Sequence, residues 1–78
     1  MEDIDQHLGE RVRRRRRELG LTQAMVGLAC GVRLQQIQKY ECGQNRISAV
    51  RLWRLARTLN VDMHYFFSGL DDGVTRAA

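Results

Sequence analysis

The sequence repeats one short pattern that starts α-helices. An apolar residue is followed by a residue whose side chain can cap a helix, and a second apolar residue comes four positions after the cap. The cap accepts a hydrogen bond from the first helical turn, and the two apolar residues contact each other across it. The pattern occurs three times in full: Leu21-Thr22 with Val26, Ile47-Ser48 with Leu52, and Val61-Asp62 with Phe66. It predicts helices that begin just after each cap.

A fourth helix start lacks its cap. Val32 and Ile37 have the same spacing, but Arg33 stands at the cap position and cannot accept hydrogen bonds from the first turn. The amide donors of this turn therefore need an acceptor from elsewhere, and a phosphate group is one candidate.

The predicted helices end at residues that tolerate a left-handed backbone, which are Gly20, Gly31, Gly43, Asn60 and Gly69. We therefore expect five helices near residues 6–19, 23–30, 34–42, 49–59 and 63–68. A chain of 78 residues has room for one domain. The fold class is all-α, a compact five-helix domain over residues 6–70, with flexible segments at 1–5 and 71–78.

Helical periodicity assigns the core of this domain. The residues expected to face inward are Leu8, Val12, Leu19, Val26, Ala29, Val32, Ile37, Tyr40, Leu52, Leu55, Ala56 and Leu59.

Basic charge is concentrated in the middle of the chain. Residues 1–10 carry a charge of −4, residues 11–57 carry +10, and residues 58–78 carry −2. Twelve of the thirteen cations are arginine, whose planar fork suits phosphate oxygens and base edges. A polyanion is therefore the natural partner, although the run Arg13–Arg17 taken alone is equally compatible with a solvated helix face.

Other classes of protein fit the sequence poorly. No nucleophile stands near a base, and no glycine-rich phosphate loop is present, so we do not expect an enzyme or a cofactor. Cys30, Cys42, His7 and His64 are scattered without metal-ligand spacing, so we expect no metal site. No apolar run is long enough for a membrane span, and the acidic start is unlike a signal peptide, which predicts a cytoplasmic protein.

The third predicted helix carries an unusual polar surface. A helix that hides Ile37 and Tyr40 points its remaining side chains outward or sideways, among them Gln35, Gln36, Gln38 and Lys39. Glutamine can pair with adenine through two hydrogen bonds, and lysine can donate to guanine acceptors. A solvated polar face would have a similar composition, but the neighbouring glycine turn and basic loop favour contact with the DNA major groove.

Several motifs resemble the helix-turn-helix of the Cro/cI (XRE) repressor family. They are Leu21-Thr22-Gln23, Ala29-Cys30-Gly31-Val32, Ile37 and Tyr40-Glu41-Cys42-Gly43. The string Gln35–Glu41, with Asn45-Arg46-Ile47 and Phe66-Phe67, further resembles small single-domain regulators of alphaproteobacteria. The resemblance implies a lambda-repressor-like fold with the helix-turn-helix at residues 22–41 and Gly31 at its turn. It also implies that the second helix crosses the DNA backbone while the third enters the major groove.

The resemblance, together with the residue chemistry, predicts the DNA contacts. The base-contacting residues are Leu34, Gln35, Gln36 and Lys39. The backbone-contacting residues are Arg16, Thr22, Gln23, Arg33, Gln38, Asn45 and Arg46. The family also pairs an arginine of helix one with a glutamate of helix three, which correspond here to Arg16 and Glu41.

Three residues depart from the family pattern. Leu34 replaces a glutamine that is common in phage members and offers apolar contact, for example with a thymine methyl group. Arg33 replaces a small cap, and Arg15 stands where many members have an apolar residue.

The family usually pairs two domains on a two-fold-symmetric operator, so we expect a homodimer that binds double-stranded DNA and acts as a repressor. Apolar residues in excess of one small core predict its interface at Trp53, Met63, Phe67 and Leu70. The alternative for Phe66 and Phe67 is that they close the core. The alternative function is an antitoxin or adaptor that binds a partner protein, although residues 71–78 form too short a tail to wrap much surface.

Overall fold

The structure is a computed structural model that describes residues 3–70. It contains five helices in this range: α1 (Ile4–Glu18), α2 (Gln23–Cys30), α3 (Leu34–Glu41), α4 (Ala49–Leu59) and α5 (Met63–Phe67). The all-α, five-helix prediction is confirmed. None of these helices is long and apolar enough to cross a membrane. The predicted flexible tail at residues 71–78 lies outside the described residues.

Side-chain caps explain why three of the helices begin where the sequence predicts. The Thr22 hydroxyl accepts from the amide of Met25, that of Ser48 from the amide of Arg51, and the Asp62 carboxylate from the amide of Tyr65, each over 3.1 Å. These bonds satisfy amides that the helices themselves leave without acceptors. At the start of α3, Arg33 makes no side-chain cap bond, as its chemistry predicts.

Helix α1 begins two residues earlier than predicted, so the expected flexible segment 1–5 is wrong for Ile4 and Asp5. The carboxylate of Asp3 accepts from the amide of Gln6 over 3.1 Å and caps the helix there. The other predicted boundaries agree within one residue.

The core lies where α1, α3, α4 and α5 converge with α2. Its fully buried side chains include Phe66, Ile37, Leu55, Leu59, Val12, Val26 and Cys30. Two predicted core residues are exposed. Leu19 follows the end of α1 and is 39% exposed, and Ala29 lies on the solvent side of α2, which buries Val26 and Cys30 instead.

Two glycines allow α3 to pack closely against its neighbours. A Cβ atom on Gly9 of α1 would overlap the carbonyl oxygen of Tyr40. A Cβ atom on Gly27 of α2 would lie 2.7 Å from the carbonyl oxygen of Val32. Backbone oxygens cannot move aside cheaply, so these positions hold α3 against both α1 and α2. The turn from α2 to α3 passes through Gly31 with a φ of 75°, where a left-handed backbone is required.

Candidate nucleic-acid interface

Helix α3 buries one side and exposes the other. Ile37, Tyr40 and Glu41 are buried, whereas Leu34, Gln35, Gln38 and Lys39 are exposed. Gln36 is half-buried and lies to one side of the exposed face. Because Gln35 and Lys39 are one turn apart, they form a continuous polar ridge along the helix.

A charged network braces α3 from behind. The guanidinium of Arg16 donates to both carboxylate oxygens of Glu41, over 2.6 and 3.0 Å, and to the carbonyl of Leu21 over 2.9 Å. The side-chain amide of Gln23 donates to the same carboxylate over 3.0 Å. The hydrogen bond that Arg16 donates to Glu41 raises the pKa of Arg16, as does the negative charge of that carboxylate, although burial opposes this. Arg16 of α1, Gln23 of α2 and Glu41 of α3 therefore fix three helices relative to one another.

An open cleft runs between α1 and α3. It encloses about 570 Å³ and is lined by Arg13, Arg16, Arg17, Gln23, Gln35, Gln38, Lys39, Glu41, Cys42 and Gln44. A second, smaller depression on the other side of the ridge is lined by Val32, Arg33, Gln35, Gln36 and Lys39. Gln35 and Lys39 border both, so the ridge stands between two polar and basic depressions. Gln38 lies on the side of the ridge that faces α1, and Gln36 lies on the opposite side, beside Arg33.

The remaining predicted backbone contacts surround α3. Thr22 and Arg33 are exposed at the starts of α2 and α3, and Arg33 leaves the first amides of α3 without a side-chain acceptor. In the loop after α3, Asn45 is half-buried and the side chain of Arg46 is 85% exposed. The Arg46 guanidinium lies 3.8 Å from the carboxylate of Asp5, a weak surface pair that leaves it available to another anion.

The departure at Arg15 has a structural explanation. Its guanidinium Nε donates to the carbonyl of Leu59 over 2.9 Å. Leu59 ends α4, where carbonyl groups lack helical partners and the helix dipole favours a cation. Arg15 therefore joins α1 to α4 by a polar bond instead of apolar packing.

Two arginines of the cleft were not among the predicted DNA contacts. Arg13 and Arg17 line it from the α1 side. Their spacing of four residues places them on one face of α1, and this spacing was visible in the sequence. The neighbouring arginines obscured it, because the run offers a basic residue to every face of the helix.

The residues predicted for the dimer interface lie at the other end of the chain. Trp53 is 51% exposed and Phe67 is 42% exposed, while Met63 and Leu70 are half-buried. Met63 also packs against the core. Phe66 is fully buried, so this member of the Phe66-Phe67 pair closes the core. Val50, at 67% exposure, shares the outer face of α4 with Trp53 and extends its apolar surface.

The two cysteines are free thiols and form no disulfide with each other. Cys30 is buried beside the hydroxyl of Thr58, with 3.3 Å between sulfur and oxygen, and Cys42 is exposed. Among residues 3–70, no three histidine, cysteine, aspartate or glutamate side chains are grouped to hold a metal ion.

Comparison with known protein families identifies the domain. The profile of the helix-turn-helix family HTH_3 matches residues 12–66. The chain belongs to this family. Its members are DNA-binding transcriptional regulators of the XRE type, so the predicted family is confirmed. The matched region runs from Val12 to Phe66. It includes the network of Arg16, Gln23 and Glu41 and the two depressions beside α3.

A regulator from the ATPase CF(0) region of Rhodospirillum rubrum is 52% identical over 73 residues, which is 94% of this chain and 68% of that protein. The chain spans between 45% and 58% of the length of six further curated relatives, from Sinorhizobium, Rhizobium and Rickettsia species. All seven carry the description of transcriptional regulators, in agreement with the prediction that this HTH_3 chain is not an enzyme.

Two solved structures show the same fold. The restriction-modification controller protein C.AhdI from Aeromonas hydrophila superposes with a TM-score of 0.76 at 27% identity. The P22 c2 repressor, solved in complex with a synthetic operator, superposes with a TM-score of 0.73 at 31% identity. Each match covers 80% of this HTH_3 chain and 94% of the other. The lambda-repressor-like fold is therefore confirmed.

Proposed function

We propose that this HTH_3 regulator represses transcription by binding a two-fold-symmetric DNA operator as a homodimer, with α3 in the major groove. The observation that carries the proposal is the ridge of Gln35 and Lys39, which is exposed between two polar and basic depressions while the buried Glu41 braces the helix from behind. A rigidly held helix with polar outward side chains suits sequence reading, because base contacts need side chains at fixed positions.

Base reading is assigned to the exposed side of α3. Gln35 suits adenine, Lys39 suits guanine, and Leu34, which is 38% exposed, offers apolar contact to a thymine methyl group. Gln36 reaches the groove from the flank of the ridge beside Arg33. The four residues sit within six positions of one helix, so they address only a few base pairs.

Backbone binding is assigned to the residues around the ridge. Arg16 uses three of its five N–H donors on Glu41 and Leu21, and because it lines the cleft, its remaining donors are assigned to a phosphate there. Gln23 keeps one amide hydrogen beyond its bond to Glu41. The other proposed backbone contacts are Thr22, Arg33, Gln38, Asn45 and Arg46. Contacts of this kind fix the register of the protein and carry no sequence information directly.

Dimerisation is assigned to the exposed apolar residues near the C-terminal end of the domain. Trp53 and Phe67 supply the exposed part of this surface, and Met63 and Leu70 its half-buried edge. Aromatic side chains of this size dominate the energetics of protein interfaces. Two copies joined here would present two α3 helices to half-sites about one DNA turn apart. Because a regulator of this kind binds DNA that lies in the cytoplasm, we assign the protein to that compartment.

The test is selection of bound duplexes from a random DNA pool with the purified protein, in the presence of competitor DNA, followed by sequencing. The expected result is an inverted repeat whose half-sites lie about 10 base pairs apart. Recovery of a single half-site would contradict the homodimer. Recovery of no motif would contradict sequence reading and favour an antitoxin or adaptor that binds a partner protein.

A further inference from the structure

The structure divides the run Arg13–Arg17 into two groups. Arg14, Arg15 and Arg16 have partners within the protein. Arg16 is held by Glu41, Arg15 by the Leu59 carbonyl, and Arg14 lies 3.6 Å from the carboxylate of Glu18 one turn along the helix. Arg14 and Arg15 therefore serve the solvated side of α1 and the fold, and Arg16 serves the fold through Glu41 and keeps only its remaining donors for the cleft.

Arg13 and Arg17 form the second group. Both are exposed, and among residues 3–70 neither has an ion pair or a side-chain hydrogen bond. Because they are four residues apart, they lie one above the other on α1. Both face the cleft whose opposite wall is formed by Gln35 and Lys39 of α3.

The cleft concentrates positive charge without neutralising it. Glu41 is the carboxylate that lines it, and both of its oxygens are engaged by Arg16 and Gln23. Arg13 and Arg17 also line another depression with Glu10 and Glu18, and Arg13 lines a further one with Asp3 and Glu10. Among residues 3–70, no carboxylate lies within ion-pair distance of either arginine. Unneutralised cations on facing walls repel one another, and a polyanion in the cleft would relieve that repulsion.

We propose that Arg13 and Arg17 form a clamp on α1 that grips DNA phosphates beside the base pairs that α3 reads. This inference rests on the proposed function and extends the interface beyond the helix-turn-helix itself. The major groove is about 12 Å wide and admits one helix, so when α3 occupies it, α1 lies across the cleft at the groove edge. The groups at that edge are backbone phosphates, which match the charge and the planar forks of the two arginines.

The experiment compares Arg13→Ala, Arg17→Ala and the double variant with Arg14→Ala. The last variant removes the same charge from the same helix but not from the cleft. Dissociation constants are measured against salt concentration, on the selected operator and on a random duplex. Each clamp arginine that is lost should flatten the slope of log affinity against log salt by about 0.9, and the double variant by about 1.8, equally on both duplexes. Arg14→Ala should leave the slope at the wild-type value.

A second variant separates loss of the contact from loss of the fold. Arg13→Lys with Arg17→Lys keeps both charges and should retain the wild-type slope, and the circular dichroism spectra of all variants should match. An unchanged slope in the double alanine variant, or an equal change in Arg14→Ala, would overturn the clamp. If no motif is selected but the double alanine variant has a flattened salt slope on the random duplex, the clamp is supported. The proposed sequence reading is then contradicted. A chain that binds neither duplex would overturn both.

Discussion

The side chains of Arg16 and Glu41 meet fork to fork, with parallel hydrogen bonds of 2.6 and 3.0 Å, although 25 residues separate them in the chain. Only 11% of the Arg16 side chain and 3% of the Glu41 side chain are exposed. Two planar groups joined in this way allow little rotation or sliding. The position of the exposed face of α3 is therefore set from inside the protein, through a residue whose own side chain is almost wholly buried.

Glu41→Ala should lower the free energy of unfolding by about 3 kcal/mol, because it leaves the guanidinium of Arg16 without its counter-charge and Gln23 without its acceptor. Urea denaturation followed by circular dichroism measures the effect. Arg14→Ala is the matched control, since its exposed pair with Glu18 should contribute less than about 1 kcal/mol. Equal destabilisation by the two variants would contradict the role of Glu41 as a brace.

Gly9→Ala should destabilise the protein by at least about 2 kcal/mol, although alanine favours helices over glycine by about 1 kcal/mol. The reason is that the added methyl group would meet the carbonyl oxygen of Tyr40 and push α1 away from α3. Thermal unfolding checks the sign. The adjacent exposed residue offers a control, and Glu10→Ala should change the midpoint little. A stabilised Gly9→Ala variant would mean that α1 and α3 are less closely packed.

Gln35→Ala and Lys39→Ala should each relax base preference by about 1 to 3 kcal/mol per lost base contact, because each removes a side chain from the ridge. Arg46→Ala should weaken binding to every duplex by a similar factor, because its exposed guanidinium is assigned to the backbone. Competition binding with single-base variants of the selected operator measures both effects. A uniform loss in all three variants would contradict the assignment of Gln35 and Lys39 to base reading.

Trp53→Ala should weaken self-association by about 2 kcal/mol, because the exposed half of the indole is assigned to the interface. Sedimentation equilibrium measures the dimer dissociation constant. Leu28→Ala is the control, since this residue is 86% exposed and belongs to α2, which contributes no residue to the proposed interface. If the two variants dimerise equally well, the interface lies elsewhere. Unfolding measured in parallel should show that the Trp53 variant keeps its fold.

The pattern of neighbouring residues predicts where α2, α3, α4 and α5 begin, where each helix ends to within one residue, and which family the chain belongs to. Thr22, Ser48 and Asp62 cap their helices through bonds to residues three positions away, and Gly31 turns the chain through its own backbone conformation. Such interactions are local, so a pattern of neighbouring residues is enough to predict them. The start of α1 was missed because the cap at Asp3 lacks the apolar pair that marked the other starts.

The role of each arginine in the run Arg13–Arg17 depends on how the helices pack. The five residues are identical in chemistry, and their helical spacing does not say which face meets α3, α4 or solvent. Their partners Glu41 and Leu59 are distant in the chain and become neighbours only when α1 packs against α3 and α4. Packing also leaves Leu19 and Ala29 exposed and Gln36 half-buried. Burial depends on what covers a residue in space, and that is fixed only when the helices assemble.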